Sequence, residues 1–341
     1  MKKILLVFFL TLLGCSFPVQ VTLGTPARTP TLEATPRPSA SPWETQTPPA
    51  PPEIGTDQNP LILALAPSLR PSDEMIAAGE SIAAFIQSRT GYRVVTVVPA
   101  SEQALVEAFS KNNAHIASLS PYGYVFVRED NTAVALLARV RDGQAFYGTQ
   151  IIANRKNDFI SYYDAVRDEN TAEAASALRQ FDQKKACWSD EVSPSGYVVP
   201  LGLLNQAKVQ IRGGAFLGGQ PSVVRAVYAD DICDFGATFV DARNSPALEA
   251  DYPDVLDRVI VVWRVPNIIP YENISIATSL PFEMRRVIQR AFIDLMLTTD
   301  GKSAMQTVYG IDALQVVEDA AYAEFAAYVK AAGLERPTLI K

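Results

Sequence analysis

The sequence predicts an α/β protein in two similar parts, carried behind a long unstructured leader. Three observations predict it. Hydrophobic residues make up 48% of the 341 residues and charged ones 20%, which allows a large core and excludes wholesale disorder. Short apolar runs alternate with helix-like segments from Leu61 to Val265, and strand–helix alternation implies sheets with parallel strands. The first 58 residues show no such alternation. The length fits two domains of roughly 100–200 residues each.

The leader comes in two pieces. Lys2 and Lys3 precede an apolar run from Ile4 to Leu13, which is the pattern of a secretory signal and too short to span a bilayer. Leu12-Leu13-Gly14-Cys15 resembles a bacterial lipobox, which implies a signal peptide over 1–15 and a lipid on Cys15. Residues 16–58 hold ten of the 24 prolines, many threonines and no apolar periodicity. Such a segment favours extended chain at about 3.1 Å per residue, a tether that reaches over roughly 100 Å. The folded body is expected from Asn59 onward.

Charge and composition exclude several functions. The 30 basic and 37 acidic side chains give a net charge of −7, and the bases and acids of the leader cancel, so the body keeps all of it. That is no footprint for nucleic acid, which needs a basic stripe against its phosphates. One histidine and three cysteines leave too little for a Cys/His metal site or for histidine-based catalysis. No metal, cofactor or enzymatic activity is expected.

Within the body, Leu61 to Ala66 reads as a buried strand ended by Pro67. Ser72-Asp73-Glu74 offers a cap and an acidic first turn for the helix that Gly91 stops. Arg93–Val98 reads as a strand, Glu102–Lys111 as a helix and Ala114–Leu119 as a third strand. A second set follows. Gln150–Ala153 reads as a strand, Thr171–Lys184 as a helix, Ala186–Trp188 as a strand and Gly196–Leu204 as a helix. Ala215–Leu217, a helix over Ser222–Tyr228, Phe235–Val240 and the apolar strand Val259–Val265 complete it. The C-terminal third reads as helices over Pro281–Thr298, Gly301–Val308 and Asp319–Ala332.

Three places where a strand hands over to a helix carry the chemistry: Ser120-Pro121-Tyr122, Ser193-Pro194-Ser195-Gly196 and Gly218-Gly219-Gln220-Pro221-Ser222. Proline suits the first helical position, and the amides after it face outward with the positive end of the helix dipole. Helix N-termini at the carboxyl ends of parallel strands are where open α/β sheets hold anions. Ser193, Ser195 and Tyr122 or Tyr124 add hydroxyl donors, and Gly196 lets an oxyanion approach the backbone. Ordinary capping explains one such turn; three at strand ends point to a ligand cleft.

With these turns in view, the body resembles the phosphate/phosphite/phosphonate-binding proteins of ABC importers. The similarity runs in order from Leu61 to Tyr309. Ser193-Pro194-Ser195-Gly196-Tyr197 with Pro200 resembles that family's Ser-Thr-Ser-Gly-aromatic…Pro loop. Gly218-Gly219-Gln220 is similar to its Gly-Gly-His turn, and Cys233-Asp234-Phe235-Gly236-Ala237 to its Val-Asp-Val-Ala strand. Ser118 to Tyr124 resembles its Leu-Gly-Pro…Tyr loop, and Arg264 to Pro270 its segment around a closing Ile-Pro. The resemblance implies a two-lobed periplasmic-binding-protein-like fold, each lobe a mainly parallel sheet flanked by helices, with two hinge crossings near Ala153 and near Val265–Ile269. The lobes would be 59–152 and 266–341 for the first, 153–265 for the second.

For the site, the resemblance implies Ser193, Ser195 and Gly196 on the phosph(on)ate oxygens, with Tyr147 and Tyr124 lining the cleft and Tyr197, Gln220, Ser120 and Tyr122 beside them. Pro194 stands where the family has threonine, and Gln220 where it has histidine, so one hydroxyl and one cationic donor are replaced. Asp241 offers a partner for a ligand amine, with a solvated or capping aspartate as the alternative. The expected function is capture of a small oxyanion by a monomeric, lipid-anchored protein on the extracytoplasmic face, for delivery to an ABC permease. A sensory module of the same fold, and a binder of a sulfonate or a pyrimidine precursor, are the alternatives.

His115 reads as structural. Cys187 and Cys233, both on expected strands of the second lobe, form either a disulfide or two buried thiols. Trp188, Trp263 and Tyr309 belong to the core or the cleft wall.

Overall fold

A computed structural model describes residues 53–340; the signal segment, Cys15 and the tether up to residue 52 lie outside the described residues. The folded body begins before Asn59. Gly55 N donates to Asn59 O at 2.7 Å, and Arg93 N donates to Gly55 O at 2.7 Å. Gly55 sits at φ +88°, with a Cβ there only 2.8 Å from the Tyr92 ring, so only glycine suits both the backbone and the contact.

The first part of the chain runs β1 (Leu61–Ala64), α1 (Asp73–Thr90), β2 (Val94–Val97), α2 (Glu102–Ser110), β3 (Ile116–Leu119), α3 (Pro121–Glu129) and β4 (Ala133–Arg139). Local signals set the helix ends. Ser72 Oγ accepts from Met75 N at the start of α1, and Gly91 ends it in the left-handed conformation. The second part runs β5 (Phe146–Asn154), β6 (Tyr163–Asp164), β7 (Glu169–Asn170), α4 (Ala174–Ala177), β8 (Ala186–Trp188) and α5 (Val199–Gln206). It continues through β9 (Gly214–Phe216), α6 (Gln220–Ala229), β10 (Phe235–Phe239), α7 (Pro246–Glu249), α8 (Val255–Arg258) and β11 (Val259–Pro270). The third part supplies β12 (Asn273–Ala277), α9 (Phe282–Leu295), α10 (Thr299–Tyr309), β13 (Leu314–Val316), α11 (Ala323–Ala332) and α12 (Arg336–Leu339).

Two sheets result, flanked by helices, in strand orders β13-β4-β12-β3-β1-β2 and β11-β5-β10-β8-β9. Parallel pairing joins β1 to β2 and β3, and β8 to β9 and β10. The remaining pairs within these two sheets are antiparallel, so both are mixed rather than mainly parallel. The difference comes from strands the apolar pattern does not reveal. β12 is buried at every residue, and a short run buried on both faces has no alternation to betray it.

Strands β5 and β11 pair from Tyr147 opposite Ile269 to Asn154 opposite Val259, and both belong to the second sheet along their length. The chain therefore leaves the first sheet between Arg139 and Phe146 and regains it between Pro270 and Asn273. These passages lie outside the expected breaks at 152/153 and 265/266, because β5 has nine residues where the apolar run shows four. The expected helix over 171–184 shrinks to α4 and one tighter turn over Leu178–Phe181. Packing overrides helix propensity there: Phe181 is drawn into the core against Phe159 and Phe235.

Cys187 and Cys233 form a disulfide with Cα atoms 5.7 Å apart. Cys187 lies on β8, whereas Cys233 lies in the loop leading to β10 rather than on a strand. His115 is buried, its Nδ1 accepts from Ile62 N at 3.0 Å, and burial lowers its pKa, all of which fit a neutral structural histidine. Tyr309 donates from its hydroxyl to Ala64 O at 2.8 Å. Helix α11 packs on α5, where a Cβ on Gly202 would meet Tyr328 O at 2.2 Å and only glycine allows the approach.

Candidate functional site

The site starts where β8 ends. Ser193 Oγ accepts from Gly196 N at 3.0 Å and caps a π turn over Pro194–Val198 that leads into α5. Ser189 N, on the residue after Trp188, donates to Gly196 O at 3.2 Å and closes the loop onto itself. Gly196 has no room for a side chain, since a Cβ there would sit 2.0 Å from Ser189 Oγ and 2.9 Å from Gln220 Nε2. From β5, on the far side of β10, Thr149 Oγ1 reaches Ser195 O at 2.6 Å and Thr238 O at 2.9 Å.

The other two strand ends meet this loop. Gln220, the first residue of α6, accepts from Phe239 N at 3.1 Å through Oε1. Its Nε2 lies 3.1 Å from Ser193 Oγ, 3.3 Å from Ser195 Oγ and 3.4 Å from Ser189 Oγ. From the first sheet, Ser120 Oγ accepts from Gly123 N and caps α3, and Tyr122 on that helix donates to Val192 O at 3.0 Å. Hydrogen bonds thus join all three expected turns. Tyr147 stacks on Tyr271 with ring centroids 5.0 Å apart; burial raises its pKa, and a hydrogen bond from the Ser195 hydroxyl opposes the rise.

The first-sheet side presents a cavity of about 620 Å³ at the carboxyl ends of β1 and β3, lined by Leu69, Glu102, Ser118, Ser120, Glu272 and Tyr309 among others. No lysine, arginine or histidine lines it. Glu102 accepts from Ser120 N at 3.1 Å; burial raises its pKa against that bond, and the Glu272 charge adds to the rise. Glu272 is paired with Arg139 at 2.9 Å. Among the described residues, no group of three or more His, Cys, Asp or Glu side chains is placed to hold a metal ion.

Three expected site residues stand apart. Tyr124 is fully buried; its hydroxyl donates to Asp319 and accepts from Ala135 N at 3.1 Å, so it belongs to the core. Tyr197 packs edge-on against Trp188 and Phe216, with centroids 5.4 and 4.9 Å away. Asp241 binds Arg243 at 2.6 Å and Gln150 Nε2 at 2.7 Å. Successive residues of a strand point to opposite faces, so Thr149 faces Ser195 while Gln150 and Asp241 occupy the other side. Burial pushes the Asp241 pKa up, and the Arg243 guanidinium more than offsets this and holds it low. Its partners are already within the protein, which leaves it unsuited to a ligand amine.

The sequence reading passes over Ser189, Thr149 and Glu102. Ser189 follows β8 directly, so the rule that pointed to Ser193 also covers it; Thr149 and Glu102 enter only through pairing and packing.

The chain matches the family described as ABC transporter, phosphonate, periplasmic substrate-binding protein, over residues 64–322. The phosphate-import protein PhnD of Mycolicibacterium smegmatis is 27% identical over 190 residues, which are 52% of this chain and 54% of that protein. The chain thus spans about half the length of this curated relative. XAC2383 from Xanthomonas citri bound to chloride ion superposes with a TM-score of 0.55 at 13% identity, over 80% of this chain and 98% of that one. The same protein bound to ATP gives 0.54 at 14% identity, with the same coverage. At such identities the likeness to the solved structures concerns the fold alone. Among the described residues no helix is long and apolar enough to cross a membrane.

Proposed function

Because the chain belongs to the periplasmic substrate-binding family of phosphonate ABC transporters, we propose that it captures a small phosphate- or phosphonate-like oxyanion between its two sheets and presents it to an ABC permease. The observation that carries this reading is the set of serine hydroxyls gathered by Gln220, with Ser193 and Ser195 at 3.1 and 3.3 Å. Hydroxyl donors fixed by packing bind an anion without a cation in contact, provided they are already aimed before it arrives.

The relation of β5 to β11 supports a hinge. These two strands carry the chain between the sheets, and a small twist along them would open or shut the space above Ser195. Closure would bury the ligand and change the surface offered to the permease. A lipid on Cys15, the tether behind it and a monomeric state complete the reading; the lipobox-like run at residues 12–15 and the proline-rich segment after it support the first two. A carrier releases its ligand unchanged, so no turnover is expected.

A thermal-shift panel tests the proposal: inorganic phosphate, phosphite, methylphosphonate and a simple alkylsulfonate, each against the full chain. Inorganic phosphate is included because the mycobacterial relative carries it in its name. A ligand at about 100 times its Kd stabilises the native state by roughly 2.7 kcal/mol. Stabilisation by a phosphorus oxyanion supports the proposal, and a response to the sulfonate alone or to none of the four overturns it.

A further inference from the structure

Gln220 is held at both ends, and the two ends have opposite polarity. Its Oε1 receives the backbone N–H of Phe239 at 3.1 Å. A backbone N–H only donates, so this bond fixes which end of the amide is oxygen. The Nε2 end then faces Ser193, Ser195 and Ser189 oxygens at 3.1, 3.3 and 3.4 Å, and an amide nitrogen only donates. Two N–H bonds are shared among three hydroxyl oxygens. Ser193 Oγ also receives Gly196 N–H at 3.0 Å, which fills its two acceptor positions and leaves its O–H free to donate.

We propose that Gln220 is a positioning residue: its amide loads the serine oxygens from behind, so that the Ser193 O–H, and the Ser195 O–H once it leaves Tyr147, serve as donors to a ligand oxygen, while the Ser189 O–H stays on Asp190 at 3.4 Å. This rests on the reading of the cleft as an oxyanion site and says how that site is polarised. The donor set contains no titrating side chain, since serine and glutamine keep their state across the physiological range. The donors themselves therefore add no pH dependence, and any change with pH comes from the ligand or from Glu102 in the first-sheet cavity. An acceptor at position 220 would turn the serine hydroxyls inward and silence them.

Calorimetric Kd values for methylphosphonate, from pH 5.5 to 8.5, test this in the full chain with Gln220→Met, Gln220→Glu and Gln220→His. The ratio of variant to unaltered affinity cancels the ligand's own titration. Gln220→Met keeps the length and loses the donor, and weakens binding roughly tenfold at every pH, the share of one hydrogen bond to a charged group. Gln220→Glu weakens it by roughly a hundredfold or more, because the carboxylate captures the hydroxyl protons and repels the anion. For Gln220→His the ratio improves as pH falls below about 6.5, where the ring gains a proton. A methionine variant that binds within twofold of the unaltered chain, a glutamate variant no weaker than the methionine one, or a flat histidine ratio overturns the proposal. Melting temperatures check that each variant folds.

A ligand-free measurement separates this inference from the function it rests on. Side-chain amide protons of Gln220, followed by NMR hydrogen exchange, are expected to be protected relative to an exposed glutamine such as Gln103. Free exchange at Gln220 overturns the polarity even if methylphosphonate binds. Protection without binding of any oxyanion supports the polarity and removes the proposed function alone.

Discussion

The two parts of the proposed site are built on different principles. On the second-sheet side, Ser189, Ser193, Ser195 and Gln220 form a set of neutral groups bonded to one another and to backbone, with Ser189 also donating to Asp190 at 3.4 Å. On the first-sheet side, a cavity of about 620 Å³ holds Glu102, half-buried and held above its ordinary pKa, among serines and apolar groups such as Leu69. The former is finished before a ligand arrives, and the latter is roomy and carries acid. Preorganised donors serve an invariant group, while space serves whatever is attached to it. The difference teaches where to look for binding strength and where for selectivity.

The largest effect is expected on the finished side. Replacing Ser193 and Ser195 together with alanine removes two donors at once. At about 1.5–3 kcal/mol for each hydrogen bond to a charged group, methylphosphonate affinity falls a hundredfold or more. Isothermal calorimetry reads this directly, and circular dichroism should show an unchanged fold. Affinity within tenfold of the unaltered chain would mean that the strength resides on the other side.

The disulfide sharpens the same contrast, because it staples only the second half. Cys187 and Cys233 are 46 residues apart in sequence, and closing a loop of that size stabilises by about 4 kcal/mol in the chain-entropy treatment. Reduction, or the Cys187→Ser/Cys233→Ser pair, should lower chemical-denaturation stability by an amount of that order. Hydrogen exchange should rise in β8, β9 and β10 before it rises in β1 and β3. Equal loosening of both sheets would show that the halves do not differ in what holds them.

Two half-buried carboxylates should respond to pH in opposite senses. Glu102 has its folded pKa raised, by burial first, so its contribution is present at low pH and is lost as pH climbs through the folded value. Asp241 has its pKa lowered, because Arg243 outweighs burial, so its contribution is present above the unfolded value and is lost as pH falls through the folded one. Glu102→Gln should therefore flatten the decline of stability just above the ordinary carboxylate range, and Asp241→Asn should flatten the decline below it. Urea midpoints across pH 3 to 8 for the two variants give the comparison. Matching profiles would count against the opposite shifts assigned to the two carboxylates.

How much of this was legible in the residues follows the same division. The finished side is written in local signals: a Ser-Pro start, a glycine where a Cβ would strike Ser189, and a glycine pair ahead of Gln220. Such signals act within a few residues, so the three turns and their approximate strand ends can be read directly. What depends on strand pairing cannot. β4 and β12 escape notice because their residues are small or buried on both faces, and β13 because it is a three-residue, largely exposed edge strand; with them goes the mixed character of the sheets. Asp241 is open in the sequence between a partner for a ligand amine and a capping aspartate; the fold gives the cap, with Arg243 N donating to its Oδ1 at 3.0 Å. Tyr124 differs from Tyr122 by two positions on one helix, enough to carry it from the cleft into the core beside Asp319. The two cysteines left a bridge and two thiols equally open, and only the fold chose between them.

The smallest effect concerns the bond from Tyr122 to the loop before Ser193. Tyr122, on a helix of the first half, donates to the carbonyl of Val192, the residue just before Ser193. The phenol is buried, and burial raises its pKa, so it remains a donor throughout the working range. Tyr122→Phe keeps the ring and its packing on Phe325 and removes only this hydrogen bond. Loss of one neutral bond costs about 1 kcal/mol, and the place where it is lost matters more than the amount. If the bond fastens the closed arrangement, ligand dissociation quickens about fivefold while association barely changes, as stopped-flow fluorescence from Trp188 or Trp263 would register. A change in global stability with unaltered dissociation would assign Tyr122 to the core of the first half and leave the joining to the hinge strands and the packing of α11 on α5.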